Sequence, residues 1–499
     1  MSEFTEEQLH AADAAVIERE KKQFVKMTQT RISRLIISLG IPTTLSMMVT
    51  SLYNLADTFF VSLLDNLSIT AAASNLLPLM SIIQAIGFTF GMGSGNIVSR
   101  LLGKRDREGA DKVFSSTLFI SCIFGLLILG LGFALLKPML KLFGCNGSTL
   151  GYGMDYAKWL LVSAPFMCMS FVLNNVLRAE GKAVLSMIGL VVGAVINVVL
   201  DPILILPRDK LSFGMGMGIK GAAIATCISQ VISFTVLLFM FLSGKTVVRF
   251  RFKAISRKFC IYKDVVVTGF PSFCRQILAS LCTVFLNRVA YQYGLEKYGM
   301  ISAEENGGDA AQTALGVVNK VFMLAFSLSL GIGQGYQPVL GYNYSAKRFD
   351  RVKSAYLFTL FFSTVVMTVF AAVCAIFAQQ AVGIFTSSAV AQEIGALSLR
   401  LQCICMPLLP LNFMAGLTYQ SVGNKALASL LSVSRQGLFY IPAVLILPEI
   451  FKLLGVQMCQ SIADAFAFVF AIPFTLLFFK TLKKEQAKVI EEKNSKENL

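Results

Sequence analysis

The chain of 499 residues is 55% hydrophobic and only 14% charged, and its mean hydropathy is +0.69. Soluble proteins average about 25% charged residues, so this composition excludes an ordinary soluble domain and indicates a polytopic α-helical membrane protein. The net charge of +16 does not indicate nucleic-acid binding, because the basic residues cluster in short connections between apolar segments, as in membrane proteins.

Twelve apolar segments are long enough to cross a bilayer. They lie at approximately 35–63, 70–99, 113–136, 157–178, 184–206, 219–243, 264–294, 311–341, 354–378, 396–420, 425–448 and 456–480. The sequence therefore predicts an all-α integral membrane protein with twelve transmembrane helices. Connections after even-numbered segments are rich in Lys and Arg, which predicts that both termini face the cytoplasm.

The two halves of the chain resemble each other. Gly40-Ile-Pro42 in segment one matches Gly269-Phe-Pro271 in segment seven, and the glycine-rich end of segment two, 91–95, matches 331–335 in segment eight. Because each half has six segments, the repeats enter the membrane in the same direction, which predicts two six-helix bundles that handle a substrate between them. The expected organisation is a cytoplasmic lead-in at 1–34, an N lobe at 35–244, a basic cytoplasmic linker at 245–263, a C lobe at 264–482 and a cytoplasmic tail at 483–499.

Segment five contains the stretch Asn197-Val-Val-Leu-Asp201-Pro202, which has the chemistry of a cation site. Asn197 and Asp201 are four residues apart, so their side chains share one face of a helix. Pro202 has no N–H to donate and crowds the carbonyl of Val198, which loosens the backbone there, and Pro42 predicts a bend in segment one for the same reason. The plainer alternative is a helix end with a solvated Asp. Intramembrane acids, however, are costly and usually functional.

These motifs together resemble the multidrug and toxic compound extrusion (MATE) family of cation-coupled exporters, from about residue 34 to residue 482. The motifs are Gly40-Ile-Pro42, Asn54-Leu-Ala-Asp57, the glycine-rich end of segment two, Arg178-Ala-Glu-Gly181, Asn197 with Asp201, and Gly221-Ala-Ala-Ile-Ala-Thr226. Twelve spans in two bundles of six is the fold that this resemblance implies.

The acids resemble those of the family branch whose coupling ion binds in the N-terminal half. The resemblance implies an ion-coupling set of Asp57, Asn175, Asn197, Asp201 and Thr226, with Asn174 as the alternative to its neighbour Asn175. An all-oxygen set suits hard cations. Two carboxylates in one small cavity cannot both stay ionised cheaply without a cation between them, so both Na⁺ and H⁺ are candidate ligands.

The second half lacks a counterpart of either acid and instead carries Arg275, Lys320 and Arg435, with Asp464 in segment twelve. Basic residues inside a bundle can pair with acids, bind backbone carbonyls or meet an anionic substrate. Pairing with acids is the structural alternative. Binding of an anionic substrate would instead place a cavity in the C lobe, lined by these three basic residues.

The resemblance implies an antiporter in the inner (cytoplasmic) membrane of the cell that exports amphipathic organic compounds, including drugs, by alternating access, driven by Na⁺ or H⁺. We expect small-molecule substrates, a lipid bilayer, no nucleic acid, no cofactor beyond the coupling ion, and a monomer. The alternative function is a flippase for lipid-linked or anionic amphiphilic precursors, which would account for the basic residues of the C lobe. An intramembrane enzyme is disfavoured, because the only histidine, His10, lies in the lead-in and no Cys-x-x-Cys motif occurs.

Overall fold

The structure is a computed structural model that describes residues 6–64, 67–207, 212–301, 306–386 and 388–497. The two ends of the chain, 1–5 of the predicted lead-in and 498–499 of the predicted tail, lie outside these described residues. Within them, the only bridge outside helices and turns joins Met300 to Asn306, so the described fold is all-α, as predicted.

Long helices fill almost all of the described chain. They are α1 Glu6–Gln29, α2 Ile32–Ser62, α3 Leu67–Asn75, α4 Leu77–Gly103, α5 Arg107–Ala134, α6 Leu136–Leu142, α7 Ser148–Ala179, α8 Ala183–Ile205, α9 Ile219–Leu242, α10 Phe259–Tyr298, α11 Gly307–Ser345, α12 Phe349–Ile376, α13 Ala378–Gly383, α14 Ala389–Cys405, α15 Leu409–Val422, α16 Lys425–Val433 and α17 Ile441–Glu497. A π-helical turn, Ser434–Tyr440, joins α16 to α17. Helix α10 begins inside the range 245–263 that the sequence indicated as a linker.

Eleven helical stretches of the described chain are apolar and long enough to cross a membrane, and the last of them contains two crossings. That stretch, Lys425–Glu492, is interrupted at Lys452, whose φ of 55° is left-handed. The chain turns back on itself there, since the Cys459 thiol contacts the Ala443 carbonyl at 3.4 Å. The predicted number of twelve transmembrane helices is confirmed. Periodicity placed their ends several residues short, because α7, α10 and α11 extend beyond the apolar core.

The helices form two bundles, an N lobe of α2–α9 and a C lobe of α10–α17, which meet along α2 with α11 and α4 with α10. Glycines make this meeting possible. A Cβ atom at Gly335 would lie 2.6 Å from the Cα of Gly40, and one at Gly93 would collide with the carbonyl of Val265. The repeated glycine motifs of segments two and eight therefore permit close helix packing between the lobes.

These contacts lie toward one face of the molecule, which we call the terminal face because α2 begins there, α4 and α11 end there, and α1 lies across it. Thr43 donates to the Gly331 carbonyl at 2.7 Å, also in the half of α2 nearest this face. Farther from it, the hydroxyls of Ser51 and Ser327 are 2.5 Å apart. The lobes are thus joined from the terminal face to about the level of Ser51.

The segment between the lobes packs tightly against the N lobe. The carboxylate of Glu180 is fully buried and accepts the backbone N–H groups of Val247 at 3.0 Å and Val248 at 2.8 Å. Lys182 pairs with the same carboxylate at 2.9 Å. This network fixes the beginning of the connection beneath α7, so it is a structured crossing from one lobe to the other.

Helix α1 straps the two lobes together across the terminal face. On the N-lobe side, Gln23 donates to the Glu180 carbonyl. At the other end, Asn343, Arg348 and Arg351 of the C lobe donate to the carbonyls of 27, 28 and 30 at 3.0, 3.0 and 2.5 Å. The last carbonyls of a helix have no intrahelical partner and carry partial negative charge, so guanidinium groups stabilise this end.

Replacing Arg348 and Arg351 with Gln should release the C-terminal end of α1. A hydrogen bond to a charged group contributes about 1.5–3 kcal/mol, so amide hydrogen exchange in residues 20–30 should become at least roughly tenfold faster. Mass spectrometry of the exchanged protein measures this. The exposed Lys353→Gln on the same helix is the control. Unchanged protection in the double variant would show that these arginines do not hold the strap.

Candidate functional site

The two predicted acids of the N lobe come together. Asp57 lies in the penultimate turn of α2, and Asp201 lies in the last turn of α8, both at the end away from the terminal face. The Asp201 side chain is fully buried, and the two carboxylates lie within electrostatic reach of each other. Their arrangement follows from the packing of α2 against α8.

Asn197 connects Asp201 to the next helix. Its amide nitrogen Nδ2 donates to Oδ1 of Asp201 at 3.3 Å and to Oγ1 of Thr226 on α9 at 3.5 Å. Gly221 makes the second contact possible, because a Cβ atom there would collide with the Leu204 carbonyl of α8. The four-residue spacing of the Asn-xxx-Asp pair and the Gly-Ala-Ala-Ile-Ala-Thr motif thus converge on one point.

Three oxygen atoms in this cluster are buried and have no hydrogen-bond partner among the described residues. They are Oδ1 of Asp57, Oδ1 of Asn197 and Oδ2 of Asp201. A buried polar atom without a partner costs roughly 1–3 kcal/mol, and more if it is charged. Two carboxylates and an amide oxygen in one buried cluster have the donor chemistry that binds a hard cation or a proton.

Two tyrosines that sequence reasoning missed lie in the field of both carboxylates, Tyr53 on α2 and Tyr156 on α7. Tyr53 stands one turn before Asp57, so the i, i+4 spacing on a helix was a signal that could have found it. Tyr156 lies 45 residues from Asp201 and on another helix, so only the packed structure identifies it.

A cavity of about 120 Å³ opens beside this cluster inside the N lobe. Asn197 and Thr226 line it together with apolar, aromatic and amide side chains and one guanidinium group. These include Met47, Tyr53, Gln84, Phe88, Met167, Phe171, Asn174, Arg178 and Gln230. A mainly apolar space with a few polar groups on one wall suits an amphipathic organic molecule.

The structure does not bring Asn175 into this cavity, and Asn174 takes the place predicted for it. Neighbouring residues on a helix point about 100° apart, so only one of the two can face the carboxylates. Asn174 lines the cavity and donates to the Ser186 carbonyl at 3.1 Å. Asn175 instead accepts a hydrogen bond from Arg178 at 2.9 Å and donates to the Phe171 carbonyl.

The predicted bend residues Pro42 and Pro202 both lie inside helices. Helix α2 continues through Pro42, whose carbonyl accepts the Ser46 hydroxyl at 2.8 Å. Helix α8 ends three residues after Pro202, where the Leu206 N–H donates to the Pro202 carbonyl at 3.2 Å. Pro202 therefore directly precedes the helix end that carries Asp201, and Pro42 lies in the part of α2 that contacts the C lobe.

The three basic residues of the C lobe have different surroundings. Arg435, placed by the π-helical turn, pairs with the buried Asp464 at 2.7 Å and lies over the ring of Phe322. Arg275 lies over Phe413 at 5.4 Å, and Lys320 lies 5.7 Å from the ring centre of Phe385. Among the described residues, neither Arg275 nor Lys320 has a carboxylate within 4.0 Å. The ion-pair interpretation thus applies to Arg435 alone.

Comparison with known proteins gives consistent matches. A family model described as MatE matches residues 42–203 and 278–446. The chain is 24% identical over 456 residues to the multidrug export protein MepA of Staphylococcus saprophyticus, covering 91% of this chain and 95% of that protein. The outward-facing conformation of a multidrug resistance MATE family transporter of the MOP superfamily matches with a TM-score of 0.84 at 27% identity, over 92% of this chain and 98% of that one. A MOP superfamily transporter from Pyrococcus furiosus Vc1, for which a binding pocket of reverse polarity suggests a different function, matches with a TM-score of 0.83 at 26% identity. The match covers 93% of this chain and 99% of that one.

Replacing Arg435 with Met should strongly destabilise the C lobe, because Asp464 would be left buried without its cation. Breaking such a pair costs about 3–5 kcal/mol, whereas removing both partners is often nearly neutral. Thermal unfolding of the purified protein should therefore show a lower Tm for Arg435→Met than for the double variant Arg435→Met with Asp464→Leu. Arg288→Met, on the exposed side of α10, is the control. Equal Tm values for single and double variants would contradict the pairing.

Proposed function

The chain belongs to the MatE family, as its motifs predicted, and we propose that it is a cation-coupled antiporter that exports amphipathic organic compounds across the cell membrane. It is a multi-pass membrane protein, and we assign its terminal face, with both termini, to the cytoplasm because of the positive residues there. MepA is a multidrug export protein. The mainly apolar lining of the N-lobe cavity supports substrates of the same kind for this chain.

The observation that carries the proposal is the set of buried oxygens without hydrogen-bond partners among the described residues, on Asp57, Asn197 and Asp201. In a low-dielectric interior, two carboxylates within reach of each other are stable only if a cation or proton neutralises at least part of their charge. A ligand that binds and leaves reversibly at this position can couple its own gradient to a change in the protein.

Coupling requires that the ion bind one arrangement of the lobes better than the other. Asp57 lies on α2, whose other end packs against α11 of the C lobe, so the same helix contacts both the carboxylate cluster and the lobe interface. Ion binding between α2 and α8 would fix the position of α2. It would thereby shift the equilibrium between a state closed at the terminal face and a state open there.

The oxygen donors fit Na⁺, since carboxylate, amide and hydroxyl oxygens are the ligands of hard cations. Protonation of one carboxylate would also relieve the repulsion between Asp57 and Asp201. We assign the coupling role to the cluster of Asp57, Asn197, Asp201 and Thr226, with Asn174 on the cavity wall.

In proteoliposomes with an imposed Na⁺ or pH gradient, Asp57→Asn and Asp201→Asn should each reduce ion-driven export of a fluorescent cationic dye by at least tenfold. Neutral amides remove the charge that holds the ion but keep the size of the side chain. Comparing the two gradients in the unmodified protein identifies the ion. Asp155→Asn, on the exposed side of α7, is the control. If both amide variants retain ion-driven export, the proposed coupling site is wrong.

A second candidate function, movement of anionic or lipid-linked amphiphiles, is favoured by Arg275 and Lys320. Each contacts an aromatic ring and lacks a carboxylate partner among the described residues. Gln276, the neighbour of Arg275, donates to Gln84 of the N-lobe cavity at 3.2 Å, so Arg275 lies near the boundary of the two lobes. A cation at this depth can meet the anionic group of a substrate.

If the protein carries anionic amphiphiles, Arg275→Gln and Lys320→Gln should reduce transport of an anionic dye several-fold and leave transport of a cationic dye unchanged. The anionic group loses a charge-assisted contact in both variants. Parallel flux measurements in proteoliposomes test this, with the exposed Arg400→Gln as control. An equal loss for both dyes, or no loss for either, would contradict selective anion recognition. Transport of the anionic dye without any ion gradient would favour the flippase.

A further inference from the structure

A second cavity, of about 20 Å³, lies between the lobes on the terminal side of the N-lobe cavity. Its polar wall comes from three helices, α4, α7 and α11. The polar side chains are those of Asn96, Ser99, Asn175, Arg178, Gln334 and Gln337. Arg178 also lines the N-lobe cavity, so its guanidinium group stands between the two spaces.

Arg178 is a buried cation whose partners are neutral. Arg178 is only 4% exposed. Its guanidinium donates to Oε1 of Gln334 and, at 2.9 Å, to Oδ1 of Asn175. No carboxylate of the described residues lies within 4.0 Å of it. The positive charge is therefore not neutralised by an ion pair, although burying such a charge costs several kcal/mol.

The acid nearest in sequence, Glu180, is directed elsewhere. Its carboxylate accepts the backbone N–H groups of Val247 and Val248 and pairs with Lys182. This arrangement is built into the connection between the lobes and leaves no free carboxylate for the neighbouring arginine. The cavity wall thus keeps its positive charge.

Among the described side chains that line this cavity, the buried polar atom without a hydrogen-bond partner is a donor. Gln334 is 2% exposed, its side-chain oxygen accepts from Arg178, and its nitrogen Nε2 is buried without an acceptor among the described residues. The oxygen of Asn175 is likewise occupied by Arg178, and Nε2 of Gln337 donates to Gln420 at 3.3 Å. A guanidinium beside an unpaired N–H suits an anion and repels a cation.

We propose that this cavity binds one small monovalent anion of the size of chloride, held by Arg178 of the N lobe and Nε2 of Gln334 of the C lobe. A single uncompensated charge calls for a single negative charge, and a free space of about 20 Å³, enough for about one water-sized sphere, excludes an organic anion. Because each lobe supplies one ligand, the anion binds only while the lobes are joined here. It therefore stabilises the state that is closed at the terminal face.

The test compares thermal unfolding of the full-length protein in sodium chloride, bromide and gluconate at constant Na⁺ concentration and ionic strength. The Tm should rise with chloride or bromide and saturate, and should stay flat in gluconate. Arg178→Gln, which removes the charge, should abolish the rise. Gln334→Leu, which removes the second donor and the partner of Arg178, should weaken it and serves as the test variant if Arg178→Gln is not recovered folded.

Arg257→Gln, at an exposed arginine of the connection between the lobes, is the control and should keep the full chloride response. Anomalous scattering from crystals grown in bromide should place the ion in contact with Arg178 and Gln334. The proposal is overturned if chloride and gluconate give the same Tm in the unmodified protein. It is equally overturned if the chloride response persists in Arg178→Gln and Gln334→Leu.

Discussion

Both lobes bury carboxylates away from water, and burying a charge costs free energy unless it is neutralised. In the N lobe, Asp57 and Asp201 share a buried cluster and have no basic partner among the described residues. In the C lobe, Asp464 has the guanidinium of Arg435 at 2.7 Å. The C lobe thus neutralises its buried acid with a residue of its own, whereas the described part of the N lobe offers its two acids no such residue. Two repeats of one architecture therefore treat a buried acid in two different ways.

The contact between the lobes is of a different kind from the packing within them. Glycine lets the backbones of α2 and α11, and of α4 and α10, approach so closely that any side chain would collide. Such contacts rest largely on van der Waals packing. The short polar contacts at Ser51 and Arg178 are among the hydrogen bonds that add to this packing between the lobes.

Much of this could be predicted from the sequence, because the signals are local. Hydropathy located the twelve crossings, and the four-residue spacing placed Asn197 and Asp201 on one face. The choice between Asn174 and Asn175 could not be predicted, since it depends on the rotation of α7 against its neighbours. The pairing of Arg435 with Asp464 needed the π-helical turn, and the strap formed by α1 needed partners from the distant C lobe. Contacts between helices far apart in sequence leave no periodic pattern to detect.

The strap imposes an order on the making of the protein. The carbonyl groups at the end of α1 are among the first to leave the ribosome, but their partners Asn343, Arg348 and Arg351 follow 316 to 321 residues later. At about 5–20 residues per second, this delay is roughly 15–60 seconds. Until then the carbonyl groups at the C-terminal end of α1 lack these partners, while the whole N lobe is synthesised. Closure of the terminal face is consequently a late event of biogenesis, and a chain interrupted before the end of α11 leaves its first helix without any of its C-lobe partners.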